Sequence, residues 1–190
     1  MRHSRHSLAM KNNNVTDPVS ILKQIEESCS GCSNGLPHKV EVSSEWSGVG
    51  FRIGSNSLAT PLGEVVEIID YPDVSAVPLT QPWVRGIANL RGNLLPVIDL
   101  NGYLNGSVAQ ITSKSRVLVV DYNGIYSGLV VDEVYGLKHF MEDEFTEEDC
   151  VVERCLQPYI QDAYRRNGKV WGIFSLFALA ESPQFLQVAV

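Results

Sequence analysis

At 190 residues the chain has the length of one domain with a tail, enough to bury about two-thirds of its unfolded surface without disulfide or metal staples. A formal net charge of −7, with 44% hydrophobic and 19% charged residues, describes an ordinary globular protein and argues against a nucleic-acid binder, which needs a basic face. No apolar run approaches the roughly 18 residues of a membrane span, and the basic N-terminus lacks the apolar stretch of a secretory signal; the expected location is the cytoplasm, with reduced thiols.

Residues 1–16 are polar and aperiodic, which predicts a disordered tail. Asp17-Pro18 reads as an N-cap followed by proline at the first helical position. Val19, Ile21, Leu22 and Ile25 then make an apolar stripe, predicting an amphipathic helix over about 17–29. Ser30 to Pro37 reads as a loop, and residues 17–45 as helix plus linker.

From Phe51 the chain reads as hairpins. Two short strands flank Gly54-Ser55-Asn56. Strands Val84–Leu90 and Leu94–Ile98 are joined through Arg91-Gly92-Asn93. Val117–Asp121 and Ile125–Val131 flank Asn123-Gly124, and Tyr159–Arg165 and Val170–Phe174 flank Asn167-Gly168, both strong hairpin-turn dipeptides. One helical turn is expected over Pro61–Val66. A short helix capped by Asp99 is expected over Leu100–Leu104, and another over Phe174–Ala180. Met141–Asp149 holds six acids in nine residues and reads as a solvated loop. This pattern predicts an all-β sandwich or a pair of barrels.

Catalysis finds little support. There is no GxSxG, Walker A or HExxH motif, and none of His3, His6, His38 and His139 stands in a recognisable nucleophile pairing. Cys29 and Cys32 form a CxxC, and Cys150 and Cys155 a looser second pair. Four thiolates suit zinc, but the second spacing is loose and the first pair lies outside the hairpins, so inert cysteines are expected. Gly86 and Gly128 fall within strands, where glycine marks either a β-bulge or the close approach of another backbone. Both readings stay open. The expectation is that Gly128→Arg folds and melts like wild type but loses a partner; unfolding of the variant would instead support the bulge.

The run Trp83–Leu100, WVRGIANLRGNLLPVIDL, closely resembles the signature segment of CheW-type chemotaxis adaptor domains. Gly63–Ile69 is similar to that family's short helix and following strand, and Arg116–Val134 to its later hairpin with an acidic end. The resemblance covers about residues 50–180. Glu45–Phe51 and Phe185–Val190 resemble the subgroup serving the chemosensory system of type IV pili and twitching motility. The chain departs from the pattern at both ends and around Cys150–Pro158.

The resemblance implies a mainly β fold of two small five-stranded barrels sharing an apolar core over residues 46–182, with short helices, an N-terminal helix and a tail at 183–190. It implies a non-catalytic adaptor without cofactor or metal, bridging a CheA-type histidine kinase, through its regulatory domain, and the cytoplasmic tip of a methyl-accepting chemoreceptor. The alternative is a coupling protein of an array unrelated to pili. Nucleic acid and membrane insertion play no part in either. By resemblance, Val65, Gly86, Leu118 and Gly128 match kinase-contact positions. Arg91, in the NLRG motif, matches the receptor-coupling arginine, and Glu67 the glutamate that pairs with it. A turn position keeps the Arg91 charge hydrated while its stem lies on apolar surface.

Overall fold

The computed structural model describes Val19, Leu22 and Lys23, then residues 45–146 and 153–188. In the N-terminal unit those three residues are helical and exposed; the rest of the expected helix, the tail, Cys29 and Cys32 lie outside the described residues. Among the described residues of the larger unit there are ten strands and three short α-helices, with single helical turns between some of them.

The strands are β1 (Trp46–Ile53), β2 (Asn56–Pro61), β3 (Glu67–Asp70), β4 (Val84–Leu90), β5 (Asn93–Asp99), β6 (Arg116–Tyr122), β7 (Ile125–Val131), β8 (Glu133–Phe140), β9 (Ile160–Arg166) and β10 (Lys169–Phe174). They form two five-stranded sheets, ordered β8-β1-β2-β10-β9 and β3-β6-β7-β5-β4. Each sheet is antiparallel except for one parallel pairing, β2 with β10 and β5 with β7. The helices are α1 (Leu100–Asn105), α2 (Leu176–Glu181) and α3 (Pro183–Leu186).

Tight turns start the hairpins. Arg91-Gly92, Asn123-Gly124 and Asn167-Gly168 all have positive φ at both residues, the conformation that follows the twist of the flanking strands. These loops have two residues, so the β4–β5 turn is one residue shorter than the sequence pattern suggests.

Both sheets curl until their edges meet. In the first, the Arg166 guanidinium donates to the His139 carbonyl, and the Phe140 and Tyr164 rings stack with centroids 5.0 Å apart. In the second, Ser75 and Ile87 exchange backbone hydrogen bonds of 2.9 Å, tying the segment after β3 to β4. The alternation of side chains then creates three apolar regions. Ala59, Phe140, Trp171 and Ile173 fill the first barrel, while Ala88, Val97, Val117 and Val130 fill the second. Between them lies the largest cluster, with Phe51, Ile53 and Leu58 from one barrel against Leu118, Val120 and Leu129 from the other.

The helices seal this shared core. Asp99, fully buried, caps α1 by accepting from the Gly102 amide at 2.9 Å, as its sequence position predicts. Its other oxygen accepts from Arg85 and from the Ala109 amide, both at 2.7 Å. Buried Glu64, in the single turn after β2, accepts from the Leu176 and Phe177 amides at 2.5 and 3.3 Å and from Ser175 Oγ at 3.1 Å. That carboxylate holds the start of α2. Phe185, within the segment read as a tail, packs against Tyr103 and Trp83 and is 3% exposed, so α3 belongs to the core.

β8 has no counterpart in the hairpin pattern. Its register against β1 shifts between Gly50 and Phe51, so Tyr135 bulges and Gly136 takes φ 76°. The bulge breaks the period of two by which a strand is recognised.

Candidate functional site

The positions matched by resemblance to kinase and receptor contacts all fall on or beside the second barrel. Glu67 pairs with Val119, Val119 with Gly128, Gly128 with Val97 and Val97 with Gly86, so three of them share one rung around the wall. Leu118 is one residue from that rung, and Val65 precedes β3.

Their exposure differs sharply. The Arg91 side chain is 75% exposed, and its Nη2 donates to Glu67 Oε1 at 2.6 Å. The pair joins the β4–β5 turn to β3, the opposite edge of the open sheet, and so spans the seam where the barrel closes. The turn is braced by Asn89, whose Oδ1 accepts from the Gly92 amide at 2.8 Å.

Gly86 and Gly128 look inward. A Cβ on Gly86 would lie 2.2 Å from the Ser75 carbonyl oxygen, and its φ is 135°. Here the bulge and the close backbone are the same feature, and that backbone is the chain's own. A Cβ on Gly128 would lie 2.7 Å from Val117 Cγ1 and 3.0 Å from Leu95 Cδ2. The expectation that Gly128→Arg leaves the fold intact is therefore corrected, because the side chain has only core to enter. Leu118 is fully buried in the shared core, so it presents no surface to a partner. Val65 is half-buried, and the exposed residues beside it are Leu62, Val66 and Ile68. Sequence reasoning passed over those three; Leu62 stands in the turn after β2, Val66 just before β3, and Ile68 at an outward-facing position of β3, and their signal is the apolar residues that recur over 62–68.

Cys155 is the cysteine among the described residues. Its thiol donates to Asn105 Oδ1 at 2.7 Å, and burial raises its pKa, which opposes the thiolate a metal needs. Among the described residues no cluster of His, Cys, Asp and Glu has the arrangement of a metal site, and no helix is long and apolar enough to cross a membrane.

Two curled five-stranded sheets around a shared core, with an exposed arginine tethered across one seam, define a binding module. Residues 47–184 match the family model of the CheW-like domain, and the chain belongs to that family. It is 40% identical over 176 residues to Protein PilI of Pseudomonas aeruginosa, covering 93% of this chain and 98% of that protein. It is also 26% identical over 131 residues to the chemotaxis protein CheW of Bacillus subtilis, covering 69% of this chain and 84% of that one. Among solved structures, the scaffolding protein TtCheW from Thermoanaerobacter tengcongensis superposes with a TM-score of 0.61 at 23% identity, over 73% of this chain and 94% of that one, and shares the fold.

Proposed function

We propose that this protein is a non-catalytic coupling protein, linking the regulatory domain of a CheA-type histidine kinase to the cytoplasmic tip of a methyl-accepting chemoreceptor. The pathway is the one controlling type IV pili and twitching motility, in keeping with the 40% identity to PilI over nearly the whole chain. It works in the cytoplasm, at the membrane-borne receptor array.

The observation that carries this reading is the Arg91–Glu67 pair. A guanidinium held from one side by a carboxylate still offers donors on its other side, in a fixed orientation, to an approaching receptor helix. The kinase domain packs against the β3 side of the same barrel, covering Leu62, Val66 and Ile68. Val65, Gly86, Leu118 and Gly128 serve that contact by shaping the wall beneath it; three of the four are buried.

The test is binding of the purified kinase regulatory domain and of a receptor-tip helical hairpin to wild type and to Arg91→Glu. The variant is expected to keep the kinase affinity and lose the receptor contact, with loss of twitching in cells. Normal signalling by Arg91→Glu would reduce Arg91 to a turn residue and end the coupling claim.

A further inference from the structure

The first barrel carries a feature that the coupling reading does not use. Inward-facing positions along its strands hold Phe140, Trp171 and Tyr164, as a barrel interior requires. Two residues along from these, the same inward alternation reaches Lys138 on β8, Lys169 on β10 and Arg166 on β9. Three cations thus ring one mouth of the barrel, around a cavity of about 470 Å³ whose floor includes Trp171. Among the described residues no carboxylate lines this cavity.

The arrangement is costly by itself. Lys169 and Arg166 are direct cross-strand partners, and like charges directly opposite destabilise a sheet. The Lys138 and Lys169 ammoniums lie 5.3 Å from the same Trp171 ring and 5.8 and 5.2 Å from the same Tyr135 ring. The rings attract each cation, but they also hold the two charges together. Among the described residues, Arg166 reaches Glu144 at 3.5 Å, while no ion pair to a carboxylate joins Lys138 or Lys169.

The mouth is also built. The bulge at Tyr135-Gly136 turns Tyr135 edge-on to Trp171, with centroids 5.6 Å apart. The Lys138 stem crosses Gly50, where a Cβ would lie 2.7 Å from Lys138 Cγ and 3.1 Å from the Trp171 ring. A bulge and a glycine together aim two lysines at one aromatic floor.

We propose that this mouth is a docking site for an acidic segment of a partner protein, with carboxylate side chains seated between Lys138 and Lys169. Charge complementarity selects the occupant: a local cluster of cations in a protein of net charge −7, with exposed Leu137 on its rim for an apolar neighbour of those carboxylates. The site lies on the other barrel from Arg91, so its test is independent of the receptor-coupling reading.

The probe is a fluorescein-labelled octaglutamate peptide, followed by anisotropy against the full chain, with Trp fluorescence as a second readout. Binding is expected to weaken as salt rises, and Lys138→Gln with Lys169→Gln to weaken it by roughly tenfold or more. Lys169→Gln alone, at an exposed side chain, keeps the test valid should the double variant fold poorly. Four results would overturn the proposal. They are no binding by wild type; unchanged binding by the variants; displacement of the peptide by inorganic phosphate at matching concentration; or self-association of the variants without any change in peptide binding. The last would make the lysines guards of the barrel edge.

Discussion

Arg91 has φ 53° in a turn whose two counterparts place asparagine at the same position. Asparagine tolerates the left-handed region through its short polar side chain, and arginine pays more for it, on the order of 1–2 kcal/mol. An arginine kept there points to a use beyond the turn. Because the site is so exposed, Arg91→Glu is expected to cost about 1 kcal/mol or less in urea unfolding, while abolishing receptor binding. The swap Glu67→Arg with Arg91→Glu should regain the pair's stability without regaining the receptor. Glycines separate by the same kind of reasoning. Gly124→Ala meets open space at positive φ and should cost about 1 kcal/mol. Gly86→Ala meets the Ser75 carbonyl as well, and a loss of about 3 kcal/mol or more is expected. Equal melting of the two alanine variants would remove the close-approach argument. Cys155 is read as inert: elemental analysis should find no stoichiometric zinc, and a chelator should leave the melting temperature unchanged.

At the scale of elements, α2 and α1 depend on groups far away in the chain. The Glu64 carboxylate gathers two amides and the Ser175 hydroxyl at the start of α2, in a buried setting. Glu64→Ala strands those donors and should lower stability by about 2–4 kcal/mol, read from denaturant midpoints. A loss below 0.5 kcal/mol, against that range, would mean that water replaces the carboxylate at little cost. On α1, Tyr103 shares its hydroxyl with Tyr159 at 3.1 Å and Ser182 at 3.2 Å. Burial, opposed by the Ser182 hydrogen bond and aided by Tyr159, pushes the phenol up to about 12 from an ordinary value of 10.0. The folded state therefore keeps a proton that the unfolded chain releases. Stability from this group is whole below pH 10 and is lost as pH rises towards 12. Melting followed over that window should fall less steeply for Tyr103→Phe than for wild type; parallel curves would refute the assignment.

For the whole molecule, division into two barrels separates two kinds of surface. The second barrel carries the tethered arginine and the apolar β3 side, and the first carries the cationic mouth. The shared core between them is large and apolar, which makes the two barrels one cooperative body. Substitutions at either surface are thus expected to change binding while leaving a single unfolding transition, as calorimetry would show. A variant at Leu118 should lower the melting of both barrels together, since its side chain lies in that common layer.

The sequence by itself determined what depends on neighbours in the chain. Asn123-Gly124 and Asn167-Gly168 announce their turns because few other residues adopt two successive positive φ values, and Asp99 announces α1 because its carboxylate needs only the amide three residues on. The order of motifs likewise made the family, and with it the paired barrels, legible. Contacts across long separations were decided only in three dimensions. Glu64 meets Leu176 from 112 residues away, and nothing local distinguishes it from a solvated glutamate. Gly86 read as open to a partner until Ser75 occupied the space beside it, and Gly128 until Val117 and Leu95 did. β8 hid behind its own bulge. Lys138 and Lys169 look like ordinary surface lysines until barrel closure turns both towards one tryptophan. Dihedral preference is a property of a few adjacent residues, whereas packing is a property of whatever the closed sheet brings together.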